Sequence, residues 1–284
     1  MELHRRCILL ACGSFNPPTH AHFRMFILAK EALERKGVTV EEAIFSPVSS
    51  SYRHKANLVS DHHRMQMLSL ATVNSFMRAD AWEQERGTWS RTVEVLEHHR
   101  QTARQKYADP LIECFLVCGG DLVDTFTKVM DDGKNLWDQE DLDRIIFDFG
   151  MVVLARQGSK PQETLKSMTD RPLEKVIVAE ETTFPNEVSS TLLRKALEEG
   201  RCIRFCTADP VVDYIAAHGL YGSGYRAGPG ERERDGAVGQ NGAGAMNGTH
   251  NGAGLINGAG HNENGAGRHN GANVHTNGAG NNHK

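Results

Sequence analysis

No apolar run in this chain is long enough to cross a membrane as a helix, which takes about 20 residues. The run at 7–12 is also too short for a secretory leader and passes straight into residues that carry chemistry, so none is expected there. Basic charge is not in excess: 32 Lys and Arg stand against 36 Asp and Glu, and a net charge of −4 offers no general footprint for nucleic acid. Any anion must be bound locally. The six cysteines, Cys7, Cys12, Cys114, Cys118, Cys202 and Cys206, include no Cys-x-x-Cys pair, so no zinc or redox motif is signalled. Four of them lie in apolar runs, where a thiol behaves as a small buried hydrophobe, and reduced cysteines point to an intracellular protein.

Glycine is sparse through the first 221 residues, because 18 of the 28 glycines lie from Gly222 onward. There Asn-Gly-Ala-Gly recurs at 241, 251, 257, 264 and 277. Such a stretch cannot bury enough apolar surface to offset the entropy of ordering it, and disorder is expected over 222–284. A glycosylation sequon at Asn247 and the scattered tail histidines read as solvated low-complexity sequence. Residues 1–221 are then the folding unit, large enough for a full core and a cleft.

Within that unit, β-rich apolar runs alternate with helical patterns. Strands are expected at 7–11, 43–48, 77–82, 112–118, 151–155 and 175–179. Helices are expected at 20–36, 60–75, 88–106, from 121, at 189–199 and at 209–218. Alternation of this kind needs crossover connections and hence parallel pairing. A doubly wound, Rossmann-like α/β domain follows, with ligands at the carboxyl ends of its strands.

The first strand ends in Gly13, Ser14, Phe15, Asn16, Pro17 and Pro18, and a helix begins at Thr19 or His20. A glycine there lets a phosphate approach the backbone, and the unpaired N–H groups of the helix start supply donors and partial positive charge. Thr19 and His22 stand i, i+3, on one face of the first turn. His22 could donate to a phosphate oxygen where charge develops. Further along, Ser189 or Ser190 caps a helix, and Arg194 lies one turn in, able to fork onto phosphate oxygens. Gly119-Gly120 follows the strand at 112–118, and Asp121 could accept from ribose hydroxyls. Taken singly, each pattern also fits an ordinary cap or turn. Of the three tryptophans, Trp82 reads as core, whereas Trp89 and Trp137 stand in polar stretches and suit stacking on a flat heterocycle.

The loop at 13–22 resembles the (H/T)-x-x-H loop of the adenylyltransferase superfamily, with Thr19 and His22 at the signature positions. With the closing Ser189-Ser190-Thr191-x-x-Arg194, residues 6–221 are similar throughout to the eukaryotic nicotinamide/nicotinate mononucleotide adenylyltransferases. That resemblance implies a nucleotidyltransferase fold, ATP and a nicotinamide or nicotinate mononucleotide as substrates, Mg²⁺ carried with ATP rather than in a protein cage, no bound organic cofactor, and a homo-oligomer. It assigns Gly13, Ser14, Phe15, His22, Thr191, Leu192, Leu193 and Arg194 to ATP, with His22, Thr19 and Arg194 catalytic. It assigns Ser14, Phe15, His54, Trp89, Thr92, Gly119, Asp121, Leu136, Trp137, Arg156 and Asn186 to the mononucleotide or dinucleotide. His54, between Arg53 and Lys55, stands where relatives usually carry a lysine; a histidine is only partly charged at neutral pH, so phosphate affinity there depends on its neighbours. Another phosphorylated acceptor, or an added chaperone-like role, stays open. Nucleic acid and membrane are not expected as partners, and cytoplasm is the default location, the nucleus a second.

Overall fold

The computed structural model describes residues 5–51, 58–155, 158–181, 184 and 186–223. Strand β1 (Arg5–Gly13) leads into helix α1 (His20–Glu34), then β2 (Val38–Pro47), α2 (Asp61–Ala71), β3 (Met77–Ala79), the short α3 (Trp82–Glu85) and the long α4 (Thr92–Lys106). The second half runs through β4 (Glu113–Gly119), the single turn α5 (Gly120–Val123), and α6 (Gln139–Asp143), continued by a π-helical stretch Arg144–Phe149. It ends with β5 (Met151–Ala155), α7 (Pro161–Met168), β6 (Val176–Glu180), α8 (Ser190–Glu198) and α9 (Asp209–Ala217). The six strands form one parallel sheet in the order β3-β2-β1-β4-β5-β6. This is the doubly wound, Rossmann-like arrangement.

Strand β1 shows why its sequence is an unbroken apolar run. Cys7, Leu9 and Ala11 pack on one side with Met25, Phe26, Ala29 and Leu33 of α1. Ile8 and Leu10 pack on the other with Val93, Leu96 and Ala103 of α4. With both faces covered there is no solvent side to make polar. Each such Leu or Ile contributes about 1.5–3 kcal/mol on burial. A third cluster joins Met67 of α2 to Leu193 and Leu197 of α8, Val211, Val212 and Ile215 of α9, and Leu220. It fixes the last helices beside the carboxyl end of the sheet.

Several element bounds differ from the sequence expectation, each for a local reason. β1 begins at Arg5 because Arg5 and Arg6 find carboxylates on the neighbouring strands, Glu113 at 2.9 Å and Glu41 at 2.7 Å. β2 begins at Val38, five residues earlier than 43, since Val38 and Val40 are buried while Thr39 faces solvent. The strand expected at 77–82 stops at Ala79, and Trp82 opens α3. α2 ends at Ala71, short of 75, where Asn74 takes a left-handed φ of 57°. α4 starts at Thr92 rather than 88, capped by Arg91 and Glu94. α6, its π-helical extension and α7 had no sequence expectation. All six cysteines are free. The expected disordered tail from Gly224 onward lies outside the described residues.

Candidate active site

In the strand order, β1 and β4 are the neighbours from which the chain winds off in opposite directions, and the crevice between their carboxyl ends is where ligands bind in such sheets. Gly13 ends β1 and Gly119 ends β4. A cleft of about 470 Å³ opens between them. Its walls bring together three separate motifs: Gly13, Ser14, Phe15, Asn16 and His22 from the first loop and α1; Gly119 and Asp121 after β4; and Ser189, Ser190, Thr191 and Arg194 at the start of α8.

The first loop is a tight structure. Phe15 has a left-handed φ of 45°, which folds its ring back under Gly13. A Cβ on Gly13 would meet Phe15 Cζ at 3.1 Å, so only glycine fits without displacing the ring. The Phe15 ring also meets His22 and Phe45 edge-on, at 5.3 and 5.1 Å. Thr19 has no exposed surface and caps α1. Its N–H donates to His22 Nδ1 at 3.0 Å, and its hydroxyl lies 2.8 Å from the same nitrogen. An Nδ1 that accepts a backbone N–H carries no proton, so the neutral ring is protonated on Nε2. Thr19 thus sets the tautomer and the orientation of His22, while His20 donates its backbone N–H to the Cys206 carbonyl at 3.0 Å.

The loop carbonyls are tied outward. Gly13 O accepts from the Val48 N–H (2.9 Å), Ser14 O from Arg64 Nη1 (3.1 Å), Asn16 O from Arg194 Nη1 (2.7 Å) and Pro17 O from the Ser190 hydroxyl (2.8 Å). Asn16 Oδ1 accepts from the Tyr221 hydroxyl at 2.8 Å and the Val59 N–H at 3.3 Å. On α8, Ser189 is the cap, its hydroxyl accepting from the Leu192 N–H at 3.3 Å. Thr191 Oγ1 takes a second donor of Arg194 at 3.3 Å. Leu193 is buried in the third core cluster and Leu192 is 54% exposed; neither lines the cleft, so only their backbone can serve a ligand there. At the far wall, a Cβ on Gly119 would fall on the Asp121 carboxylate, which would have to swing aside.

Cys12 and Cys118 also line the cleft, as do Met25 and Leu58, and none of the four was singled out from the sequence. Burial pushes both thiols above their ordinary range, so they are neutral apolar wall. Among the described residues no group of three or more His, Cys, Asp or Glu is gathered as a metal site.

The remaining expected residues lie elsewhere. Asn186 lines a second cleft of about 620 Å³ with Arg24, Met25, Gly158 and Glu181, and Met25 borders both clefts. Trp89 is 53% exposed and Leu136 42% exposed; neither they nor Thr92 and Trp137 line the first cleft. Trp137 packs edge-on against Phe126 at 5.1 Å and donates from Nε1 to the Thr125 hydroxyl at 3.0 Å. Trp82 is partly buried against the core and stacks on His98 at 4.2 Å. His54 and Arg156 lie outside the described residues.

Residues 10–196 match the cytidylyltransferase-like family. The chain is 43% identical over 220 residues to nicotinamide/nicotinic acid mononucleotide adenylyltransferase 2 of Caenorhabditis elegans, covering 76% of this chain and 98% of that protein. It is 31% identical over 256 residues to nicotinamide/nicotinic acid mononucleotide adenylyltransferase 1 of Bos taurus, covering 76% and 89%. Among solved structures, Plasmodium falciparum nicotinic acid mononucleotide adenylyltransferase complexed with NaAD superimposes with a TM-score of 0.56 over 78% of this chain and 98% of that one, at 21% identity, a likeness of fold. The chain belongs to the nicotinamide/nicotinic acid mononucleotide adenylyltransferases, a branch of the cytidylyltransferase-like family.

Proposed function

We propose that the chain transfers the adenylyl group of ATP to nicotinamide mononucleotide, and to its nicotinate counterpart, in the synthesis of NAD. The observation that carries this reading is the cleft at the switch point, walled by the first loop, the turn after β4 and the start of α8. An oxygen of the mononucleotide 5′-phosphate forms the new bond to the α-phosphorus. The bond from that phosphorus to the bridging oxygen breaks, and pyrophosphate leaves with the electron pair. The attacking phosphate is already anionic, so no side chain need act as nucleophile or base. What remains is positioning and charge neutralisation.

The residues divide that work. The Nε2–H of His22, held by Thr19, donates to phosphate oxygens where charge develops. Arg194 and the first N–H groups of α8 receive the triphosphate. Asp121 accepts from a ribose hydroxyl; the family resemblance assigns Trp89 and Trp137, which lie outside the first cleft, to the pyridine ring and Asn186 to the nucleotide. Mg²⁺ would be held by the triphosphate itself and supplies further charge neutralisation. A homo-oligomer belongs to the same proposal, tested by light scattering.

Incubation with ATP, Mg²⁺ and nicotinamide mononucleotide is expected to yield NAD and pyrophosphate. A panel of other phosphorylated acceptors, and CTP in place of ATP, separates this reading from its relatives. His22→Ala is expected to lower kcat on the order of 100- to 1000-fold. Absence of NAD, or full turnover in that variant, overturns the proposal.

A further inference from the structure

Arg64 is the largest side chain in the described fold with no exposed surface at all. A guanidinium that deep is costly unless its donors are met, and burial does pull its pKa down. Its Nε donates to Val59 O at 3.2 Å, Nη1 to Ser14 O at 3.1 Å, and Nη2 to Val48 O at 2.6 Å and to the Asp61 carboxylate. Three of the four acceptors are main-chain carbonyls on different segments: the first loop, the exit from β2 and the approach to α2. Asp61 in turn accepts from the Ser50 N–H and hydroxyl, at 2.8 and 2.6 Å. The guanidinium is thus spread as a fork over backbone on three segments as well as onto the carboxylate.

The consequence for the loop follows from peptide geometry. In a trans peptide the C=O and the following N–H point in opposite directions. The cis bond of this loop is Asn16–Pro17, so the Ser14–Phe15 peptide is trans. Arg64 does not line the cleft, whereas Ser14 and Phe15 do. Pulling the Ser14 carbonyl onto Arg64 therefore turns the Phe15 N–H away from Arg64. The Gly13 carbonyl, held by Val48, does the same for the Ser14 N–H, and Val48 is itself held by Arg64.

We propose that Arg64 is a positioning residue for adenylyl transfer, holding the Ser14 and Phe15 N–H groups of the first loop in line with the phosphates from beneath. The inference rests on the functional reading above. Lysine cannot replace it, because an ammonium lacks the planar fork needed to reach three separated carbonyls.

The test compares wild type with Arg64→Lys and Arg64→Met, in the presence of ATP, Mg²⁺ and nicotinamide mononucleotide, below the melting temperature of each protein. Both variants are expected to lose kcat on the order of 100-fold with little change in KM, as misplaced donors act mainly in the transition state. A role confined to stability lowers the melting temperature yet leaves kcat of the folded variants at the wild-type value. Amide hydrogen exchange of residues 13–16, measured without substrate, is expected to quicken in both. If Arg64→Met does not fold, Arg64→Lys, which keeps the charge, carries the test. Wild-type kcat in Arg64→Lys, or unchanged exchange at 13–16, overturns the proposal. Wild-type turnover reads the function separately: without it the functional reading fails first, and the catalytic part of this inference falls with it.

Discussion

Glu83 of α3 is 3% exposed, and the hydroxyl of Ser46, one strand over from the cleft wall, donates to its Oε1 at 2.6 Å. Ser46 pairs in register with Cys12, which lines the cleft. Burial raises the Glu83 carboxyl from 4.5 to about 7; the Ser46 hydrogen bond and the nearby charges of Arg64 and Arg86 pull it back down only in part. The folded state thus holds a proton that the unfolded state has released over this interval, so stability falls as pH rises from 4.5 to about 7. The loss attributable to this one group is about 3 kcal/mol. Glu83→Gln removes the titration and keeps an acceptor for Ser46. Its stability relative to wild type is expected to improve steadily with pH across that window, read by urea denaturation at several pH values. Parallel curves for the two proteins would discard this account. In the sequence Glu83 stands within Trp-Glu-Gln-Glu, which reads as polar surface; nothing local announces a partner 37 positions away. Arg64 is hidden in the same way, inside a helix between His63 and Met65, where nothing local marks it as buried.

The elements were more legible than their ends. The alternating strand and helix patterns, the Ser60 and Ser189 caps and the proline opening α9 all signal locally, because periodicity and capping act over a few residues. The π-helical stretch Arg144–Phe149 had no such signal. It ends at Gly150, whose φ of 112° lies in the region glycine tolerates, and β5 starts one residue later. A Cβ at this position would meet the Phe115 ring at 2.7 Å and the Lys175 carbonyl at 2.9 Å. Gly150→Ala therefore combines backbone strain with overpacking between two strands. It is expected to cost roughly 2 to 5 kcal/mol in thermal or chemical denaturation, and a variant as stable as wild type contradicts this reading of the junction. The tryptophans show the opposite case: Trp89 and Trp137 both stand among polar neighbours in the sequence, yet Trp137 donates its indole N–H to Thr125 and meets Phe126 edge-on. Burial of an aromatic depends on elements far along the chain, which a short window of sequence cannot contain.

At the scale of the molecule, alternation predicted the parallel sheet, and the strand order explains why motifs more than 100 residues apart share one cleft. Gly13, Gly119 and the α8 start meet because β1 and β4 are adjacent and α8 is docked beside them. The last described residues belong to that assembly: Leu220 is buried and Tyr221 bonds to Asn16. Truncation after Ser223 is expected to leave both melting temperature and kcat at wild-type values. Truncation after Gly219 removes the buried Leu220 and the Tyr221 bond, with an expected loss of about 2 kcal/mol or more. Equal behaviour of the two truncations would show that Tyr221 contributes nothing to the loop, and a fall in activity after Ser223 would assign the tail a part in catalysis.

The bond between Asn16 and Tyr221 also sets a timetable. The two residues are 205 positions apart, so a ribosome making about 5–20 residues per second completes the second on the order of 10 to 40 s after the first. A growing chain can pair β1 with β2 early, but the loop proposed to hold the phosphates stays without its last tether until residue 221 has been added. Nascent copies interrupted after Arg194 but before that point carry the complete set of signature residues and lack the last tether.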